Sequence, residues 1–235
     1  MSRFALVSPD ADDEILKSLK KLDYIPLPLP KTPLVDKRIS GHPDIQLFPA
    51  DKKIFCHPDI PKSFVKKIEN CAEVKVCTTQ LHREYPRDIP FNIAYTGEVA
   101  FHKKEFTDPL IIEFFNERKI KLINVEQGYA KCSTLIVDST RIITPDSSIH
   151  QAALGVPMES LLVEPGHVDL PGFDNGFIGG ASGSDGNNII LTGTISHHPD
   201  YKRIMEFMEK SGKRIIFLSK KRVVDLGTIF LFNEI

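Results

Sequence analysis

Several features that mark large classes of protein are missing from this sequence. No apolar run approaches the ~18 residues needed to span a membrane. The N-terminal stretch Met1-Ser2-Arg3-Phe4-Ala5-Leu6-Val7 meets Pro9 and then Asp10, Asp12, Asp13 and Glu14, with neither h-region nor cleavage site. No export signal is therefore expected, and the expected location is cytoplasmic. Cysteine is scarce: four in 235 residues read as free thiols rather than a disulfide framework. An excess of either charge is also missing. Thirty basic and 31 acidic residues leave a net charge of −1, which points to neither a nucleic-acid nor a membrane partner. The clusters Lys62/Lys66/Lys67 and Lys220/Lys221/Arg222 have no interleaved aromatics for base stacking and read as solvated faces. No Gly-x-Gly-x-x-Gly opens a helix and no Walker Lys-Ser/Thr is present, so a phosphate cradle is unsupported.

The sequence does carry an ordinary globular composition, 41% apolar, in a length that suits one or two domains. It also carries a repeat. A Pro-Asp or Asp-Pro pair separates a β-rich run from a helical pattern at Pro9-Asp10, Pro58-Asp59, Asp108-Pro109, Pro145-Asp146 and Pro199-Asp200. An aspartate at such a boundary is expected to cap the first helical turn, and proline tolerates that position. Apolar residues at helical spacing follow, such as Ile15, Leu16 and Leu19, or Ile204, Phe207 and Met208. Each helix is followed by a β-rich run, at residues 24–29, 74–78, 120–125, 160–163 and 214–218.

A second landmark precedes each expected hairpin: Asp44, Asp88, Cys132, Asp174 and Asp225. These recur at intervals of roughly 42 to 54 residues, counting round from the last to the first. The last strand, near residues 228–232, has no helix after it, and the first, residues 4–8, has no hairpin partner before it. The economical reading is an α/β ring of five ββαβ units, a five-fold pseudosymmetric β/α propeller closed by pairing of the C-terminal and N-terminal strands. One domain would then cover residues 1–235, with units near 1–40 plus 225–235, 41–84, 85–130, 131–171 and 172–224. A two-domain doubly wound fold is the rival, but it predicts no hairpin before each helix.

This pattern is similar to the pentein superfamily, the five-bladed propellers of guanidino-group-modifying enzymes. The segment Pro86-Arg87-Asp88-Ile89-Pro90-Phe91 resembles the family's Arg-Asp-Pro-Phe element. His42-Pro43-Asp44 and His167-Val168-Asp169 each resemble its His-x-Asp element, and residues 128–133 resemble the segment bearing its nucleophile. One departure stands out. In those enzymes the nucleophilic cysteine heads the C-terminal strand, where this sequence has Asp225. With Cys132 as nucleophile the constellation is rotated round the ring. The separation of two units between His-x-Asp and cysteine is kept by His42 and Cys132.

The resemblance implies a hydrolase or transferase acting on a guanidine or amidine C–N bond, with no cofactor, no resident metal and a cationic small molecule as partner. Cys132 would be the nucleophile, and His42, or failing that His167, the acid and base. Asp44, Asp88, Asp174 and Asp225, with Arg87, would line the substrate site. Carboxylates gathered on one axis repel and call for a cation among them. Plainer readings stand beside these. Each aspartate could tie up turn amides, Cys132 could be an inert buried thiol, either histidine could lie on the surface, and Arg87 could simply pair with Asp88. A non-catalytic pentein that binds a cation or a macromolecule is the alternative function, and a metal-binding protein using the carboxylates and histidines is a third. His197-His198 offers too few ligands for a metal, and the Cys71/Cys77 pair lacks a second pair. The glycine-rich stretch 172–186 reads as a hairpin with an extended tip, or as backbone making room near the central site.

Overall fold

A computed structural model describes residues 2–234. Its strands form five three-stranded sheets. The first opens with β1 (Arg3–Val7), α1 (Asp13–Lys21) and β2 (Tyr24–Pro28). The second comprises a short α2 (Pro43–Gln46), β3 (Leu47–Ala50), β4 (Lys53–Cys56), α3 (Lys62–Ile68) and β5 (Glu73–Val76). In the third are β6 (Ala94–Tyr95), β7 (Val99–His102), α4 (Pro109–Arg118) and β8 (Lys121–Asn124). The fourth has a short α5 (Ala130–Ser133), β9 (Leu135–Ile136), β10 (Arg141–Thr144), α6 (Ser147–Leu154) and β11 (Glu159–Leu162). The fifth has β12 (Ser182–Ser184), β13 (Asn188–Leu191), α7 (Tyr201–Glu209) and β14 (Arg214–Phe217). The last strand, β15 (Phe230–Asn233), returns to the first sheet.

Every sheet repeats one pattern. An inner strand pairs antiparallel with a middle strand, which pairs parallel with an outer strand through a helical crossover. The ring closes where β15 pairs antiparallel with β1, Arg3 opposite Asn233 and Leu6 opposite Phe230. This is the ββαβ propeller expected from the sequence, and the two-domain doubly wound fold is excluded by the five separate sheets.

The residue pattern explains the layers. Middle strands are covered on both faces, so they read as nearly continuous apolar runs: Lys53-Ile54-Phe55-Cys56, Val99-Ala100-Phe101-His102 and Asn188-Ile189-Ile190-Leu191. Helices present one apolar stripe, as α4 does with Ile111, Phe114 and Phe115. The core is five apolar wedges, each shared by neighbouring units. One joins Phe48 and Phe55 to Phe114 and Phe115, and another joins Leu135 and Ile143 to Ile189 and Ile204. Each of these large buried side chains contributes about 1.5–3 kcal/mol.

The capping expectation holds at two of the five marks. The carboxylate of Asp108 accepts from the Leu110 N–H, and that of Asp146 from the Ile149 N–H. Helix α1 is capped by Asp12 rather than Asp10, and α3 starts after Pro61 with no side-chain cap. Asp200 occupies the N-cap of α7 but turns its carboxylate to the Glu164 N–H and Arg203. The landmarks at Asp44, Asp88, Cys132 and Asp174 do not lead straight into a strand, as a hairpin beginning at once would require. Ile45 and Gln46 lie in α2, residues 89–93 are loop, and Ser133 ends α5. In the fifth unit residues 175–179 form no strand, and the inner strand begins at Ser182.

Candidate active site

The chain just ahead of each inner strand converges on one point of the ring. From the second unit, α2 brings Asp44, with His42 at its N-cap. From the fourth, α5 brings Cys132. The approach to β15 brings Asp225 and Thr228, and the approach to β12 brings the backbone of Gly179 and Gly180. The third unit contributes Asn92, two residues ahead of β6.

These groups touch. The Cys132 thiol donates to Asp44 Oδ2 at 3.0 Å, and the same oxygen accepts from the Thr228 hydroxyl at 2.7 Å. Asn92 Nδ2 lies 3.2 Å from Cys132 Sγ, and its Oδ1 accepts from the N–H groups of Lys131 (2.8 Å) and Cys132 (3.1 Å). His42 Nδ1 stands 3.9 Å from Asp225 Oδ1. Asp225 is fixed by backbone donors, Phe177 N–H on Oδ2 and Gly227 N–H on Oδ1, each at 2.9 Å. Exposure is 4% for His42, 0% for Asp44, 4% for Cys132 and 1% for Asp225, so the cluster is sealed from solvent.

Glycine makes that density possible. A Cβ on Gly180 would fall 2.0 Å from Asp225 Oδ1, so in the fifth unit bare backbone fills the place a side chain takes elsewhere. Gly227, at φ +71°, passes so close to His42 that a Cβ would sit 2.2 Å from the His42 Cβ.

The electrostatics follow from burial. Desolvation, then the neighbouring Asp44 and Asp225, push the Cys132 thiol well above its ordinary range. Desolvation and Asp44 raise Asp225, against the pull of His42 and its two backbone donors. Lys131 carries an amine into the same region, where desolvation lowers it and Asp44, Cys132 and Asp225 oppose that shift. Asp44 Oδ1 is buried without a partner, which leaves an acceptor free for an added donor or cation.

The sequence candidates separate into three groups. Cys132, His42, Asp44 and Asp225 meet in this cluster. Asp88 lies close by, buried, with Oδ2 accepting from the Tyr129 hydroxyl at 2.6 Å and Oδ1 unpartnered; desolvation raises it. Asp174, His167 and Arg87 do not join. Asp174 is exposed, in a loop eight residues ahead of β12 rather than at its head, because the glycines take that place. His167 packs on the His198 ring at 4.9 Å and faces Glu164 Oε1 at 3.4 Å. Arg87 is exposed and forms no ion pair with Asp88 among the described residues. Asn92, Lys131 and Thr228 are additions. Asn92 and Thr228 signal by position alone, two residues ahead of an inner strand, and Lys131 only by its place beside Cys132.

His42, Asp44 and Cys132 can each direct one donor atom within 4.8 Å of the others, a nitrogen, oxygen and sulfur set suited to a borderline-soft metal ion. His197 and His198 form no such group among the described residues; His198 Nδ1 instead accepts from the Asp200 N–H.

Residues 6–230 match the model of the Family of unknown function (DUF6873). The chain belongs to that family. No curated protein matches it in sequence. Solved structures show the fold at 9–11% identity. A dimethylarginine dimethylaminohydrolase (DDAH) from Pseudomonas aeruginosa, solved as a cysteine mutant with citrulline, aligns at TM-score 0.53 and 9% identity, over 92% of this chain and 91% of that one. An agmatine deiminase from C. jejuni aligns at 0.52 and 11%, over 92% and 86%. SxtG, an amidinotransferase of the saxitoxin pathway from Microseira wollei, aligns at 0.51 and 10%, over 95% and 93%. This member of the family therefore has the pentein fold, shared with guanidino-modifying hydrolases and transferases. No helix of its described residues is long and apolar enough to cross a membrane.

Proposed function

We propose that this pentein is a cysteine-dependent hydrolase or transferase that breaks a guanidine- or amidine-type C–N bond, with Cys132 as nucleophile and His42 as acid and base. The observation that carries the reading is the thiol of Cys132 held 3.0 Å from Asp44 and grouped with His42 inside a sealed acidic centre. In the absence of substrate, burial and then the neighbouring carboxylates favour the protonated thiol. A bound guanidinium reverses that balance: its charge offsets Asp44 and Asp225, and its planar N–H groups suit the unpartnered Oδ1 of Asp44.

His42 takes the thiol proton, and the thiolate adds to the guanidinium carbon. The imidazolium then returns that proton to the leaving nitrogen as its C–N bond breaks, which leaves an S-linked amidinium on Cys132. Water gives one proton to neutral His42 and its hydroxyl to the carbon, and the C–S bond breaks. The sulfur recovers its proton from His42, and the urea-type product releases one proton to solvent, which the freed amine takes up. An acceptor amine in place of water would make the reaction a transfer.

The test is a screen of guanidino and amidino compounds for released ammonia, amine or urea-type product, with Cys132→Ala as the control. Turnover by wild type that Cys132→Ala abolishes is expected; a panel with no turnover overturns the proposal. Burial of the thiol favours a second reading, a non-catalytic pentein that holds a cation, organic or metallic, at Asp44 and Asp225. That reading predicts ligand binding indifferent to Cys132→Ala, and elemental analysis separates a metal ion from an organic cation.

A further inference from the structure

A concavity lies on the same axis, on the side of the hairpin tips. It has a volume of about 370 Å³ and takes lining from the inner strands or tips of all five units. That is the lower end of the range for small-ligand sites. Its floor includes Lys131 and Thr228, the residues that separate it from the Cys132 cluster, and its mouth is set by the tips that carry Asp51, Asp138 and Asp185. Along the fifth inner strand, Ser182 stands at the floor and Asp185 at the mouth, a depth of about 10 Å at strand rise.

The charges in this cavity are not what its aspartates suggest. Each carboxylate has an arginine of its own: Asp51 pairs with Arg118, Asp138 with Arg141 at 2.8 Å, and Asp185 with Arg3 at 2.8 Å. Asp51 also accepts from Tyr95, Asp138 from Thr140, and Asp185 from Tyr24, Asn188 and backbone donors. Two lysines have no such partner. The Lys131 amine, 7% exposed, donates only to the carbonyls of Thr134 (3.2 Å) and Gly179 (3.4 Å), with Asp44 and Asp225 near enough to favour its protonated form against burial. Lys213, half-buried at the mouth, has no carboxylate within ion-pair distance among the described residues, although Asp138 and Asp185 lie near enough to act on it. Between them the wall includes Phe48, Ile93, Ile136 and Ile229. One cation at each end and an apolar middle are complementary to an anion at each end of a short aliphatic chain.

We propose that the axial cavity binds a small aliphatic dicarboxylate, one carboxylate on Lys131 at the floor and the other on Lys213 at the mouth. The occupant then bears on the Cys132 cluster through its charge, because Lys131 and Thr228 stand between the two. Lys131 Nζ donates to Gly179 O, which lies 3.2 Å from the Thr228 hydroxyl oxygen; the one proton of that hydroxyl goes to the nearer Asp44 Oδ2 at 2.7 Å, the oxygen that accepts the Cys132 thiol. A carboxylate on Lys131 competes for the ammonium and adds negative charge behind the thiol, so Cys132 becomes less reactive when the cavity is filled.

Calorimetric titration of the full chain with succinate, glutarate and adipate tests this, with butyrate and 1,5-diaminopentane for comparison. At least one dicarboxylate is expected to bind, more tightly than butyrate, with no binding of the diamine. Lys213→Met, at a half-exposed position that folding tolerates, is expected to weaken it about tenfold, the loss of one charge-assisted contact; Lys131→Met should do the same if it folds. Alkylation of Cys132 by iodoacetamide should slow several-fold at saturating ligand. Binding is measured on Cys132→Ala as well, so it stands or falls independently of any turnover. No binding at millimolar dicarboxylate, affinity unchanged in Lys213→Met, or preference for the diamine would each overturn the proposal.

Discussion

Asn92 offers the sharpest test of how the Cys132 cluster is held. Its side chain is fully buried and makes four contacts: N–H groups of Lys131 and Cys132 on Oδ1, and the Asp44 carbonyl and Cys132 Sγ, each at 3.2 Å, on Nδ2. Asn92→Ala removes all four. The Lys131 N–H keeps a weaker partner, the Asn92 carbonyl at 3.3 Å, so the Cys132 N–H and the Asp44 carbonyl are the groups left bare. An orphaned buried polar group costs roughly 1–3 kcal/mol, and a small cavity adds about 1 kcal/mol. We expect a loss of at least about 3 kcal/mol in urea unfolding, and a Tm lowered by at least about 6 °C for a chain of this size. Asn92→Leu fills the same space and isolates the polar part, with an expected loss of about 2 kcal/mol. Both variants should also alkylate faster at Cys132 as its turn loosens. If both unfold within about 0.5 kcal/mol of wild type, the carboxamide does not hold this turn and the reasoning fails.

Three further outcomes are expected. The pH profile of Cys132 alkylation should give a thiol pKa above the free value of ~8.5, and Asp44→Asn should bring it down; a wild-type value below ~8.5 contradicts the sealed, acidic surroundings. His102, held by the Ile89 carbonyl and the Thr107 hydroxyl, is pushed down to about 4 by burial. Its neutral form is the folded one, so its contribution is full above ~6.5 and is lost as pH falls toward 4, about 3 kcal/mol in all; His102→Gln should flatten acid unfolding over that window. Gly180→Ala drives a Cβ onto Asp225 and should cost at least ~2 kcal/mol by chemical denaturation, whereas Gly186→Ala, with open space around it, should be close to neutral.

The ring was legible because its signals are periodic and local. Apolar middle strands, amphipathic helices and the mismatch between an unpartnered first strand and a last strand without a helix all follow from residue type. The candidate site was legible where chemistry and position coincide, at Asp44, Cys132 and Asp225. It was obscured where they part. In the third unit the conspicuous Asp88 lies four residues ahead of Asn92, which does the holding. In the fifth, the charged Asp174 drew the landmark eight residues ahead of its strand, while the glycines at the true position have no side chain to signal anything. Lys131 escaped notice because a lysine's usual place is on a surface, and only the assembled ring shows it beneath a cavity.

The pairing of β15 with β1 has a bearing on the order in which this protein acquires its structure. Four of the five sheets are built from contiguous stretches and can form as their residues become available. The remaining sheet joins segments from opposite ends of the described chain, and the wedge beside it is completed only when Phe230 and Phe232 pack against Leu6 and Leu29. Asp225 and Thr228 arrive on the same late segment, so the Cys132 cluster is assembled in the step that shuts the ring. On a ribosome, the thiol would wait for the final strand before it meets the environment that governs its reactivity.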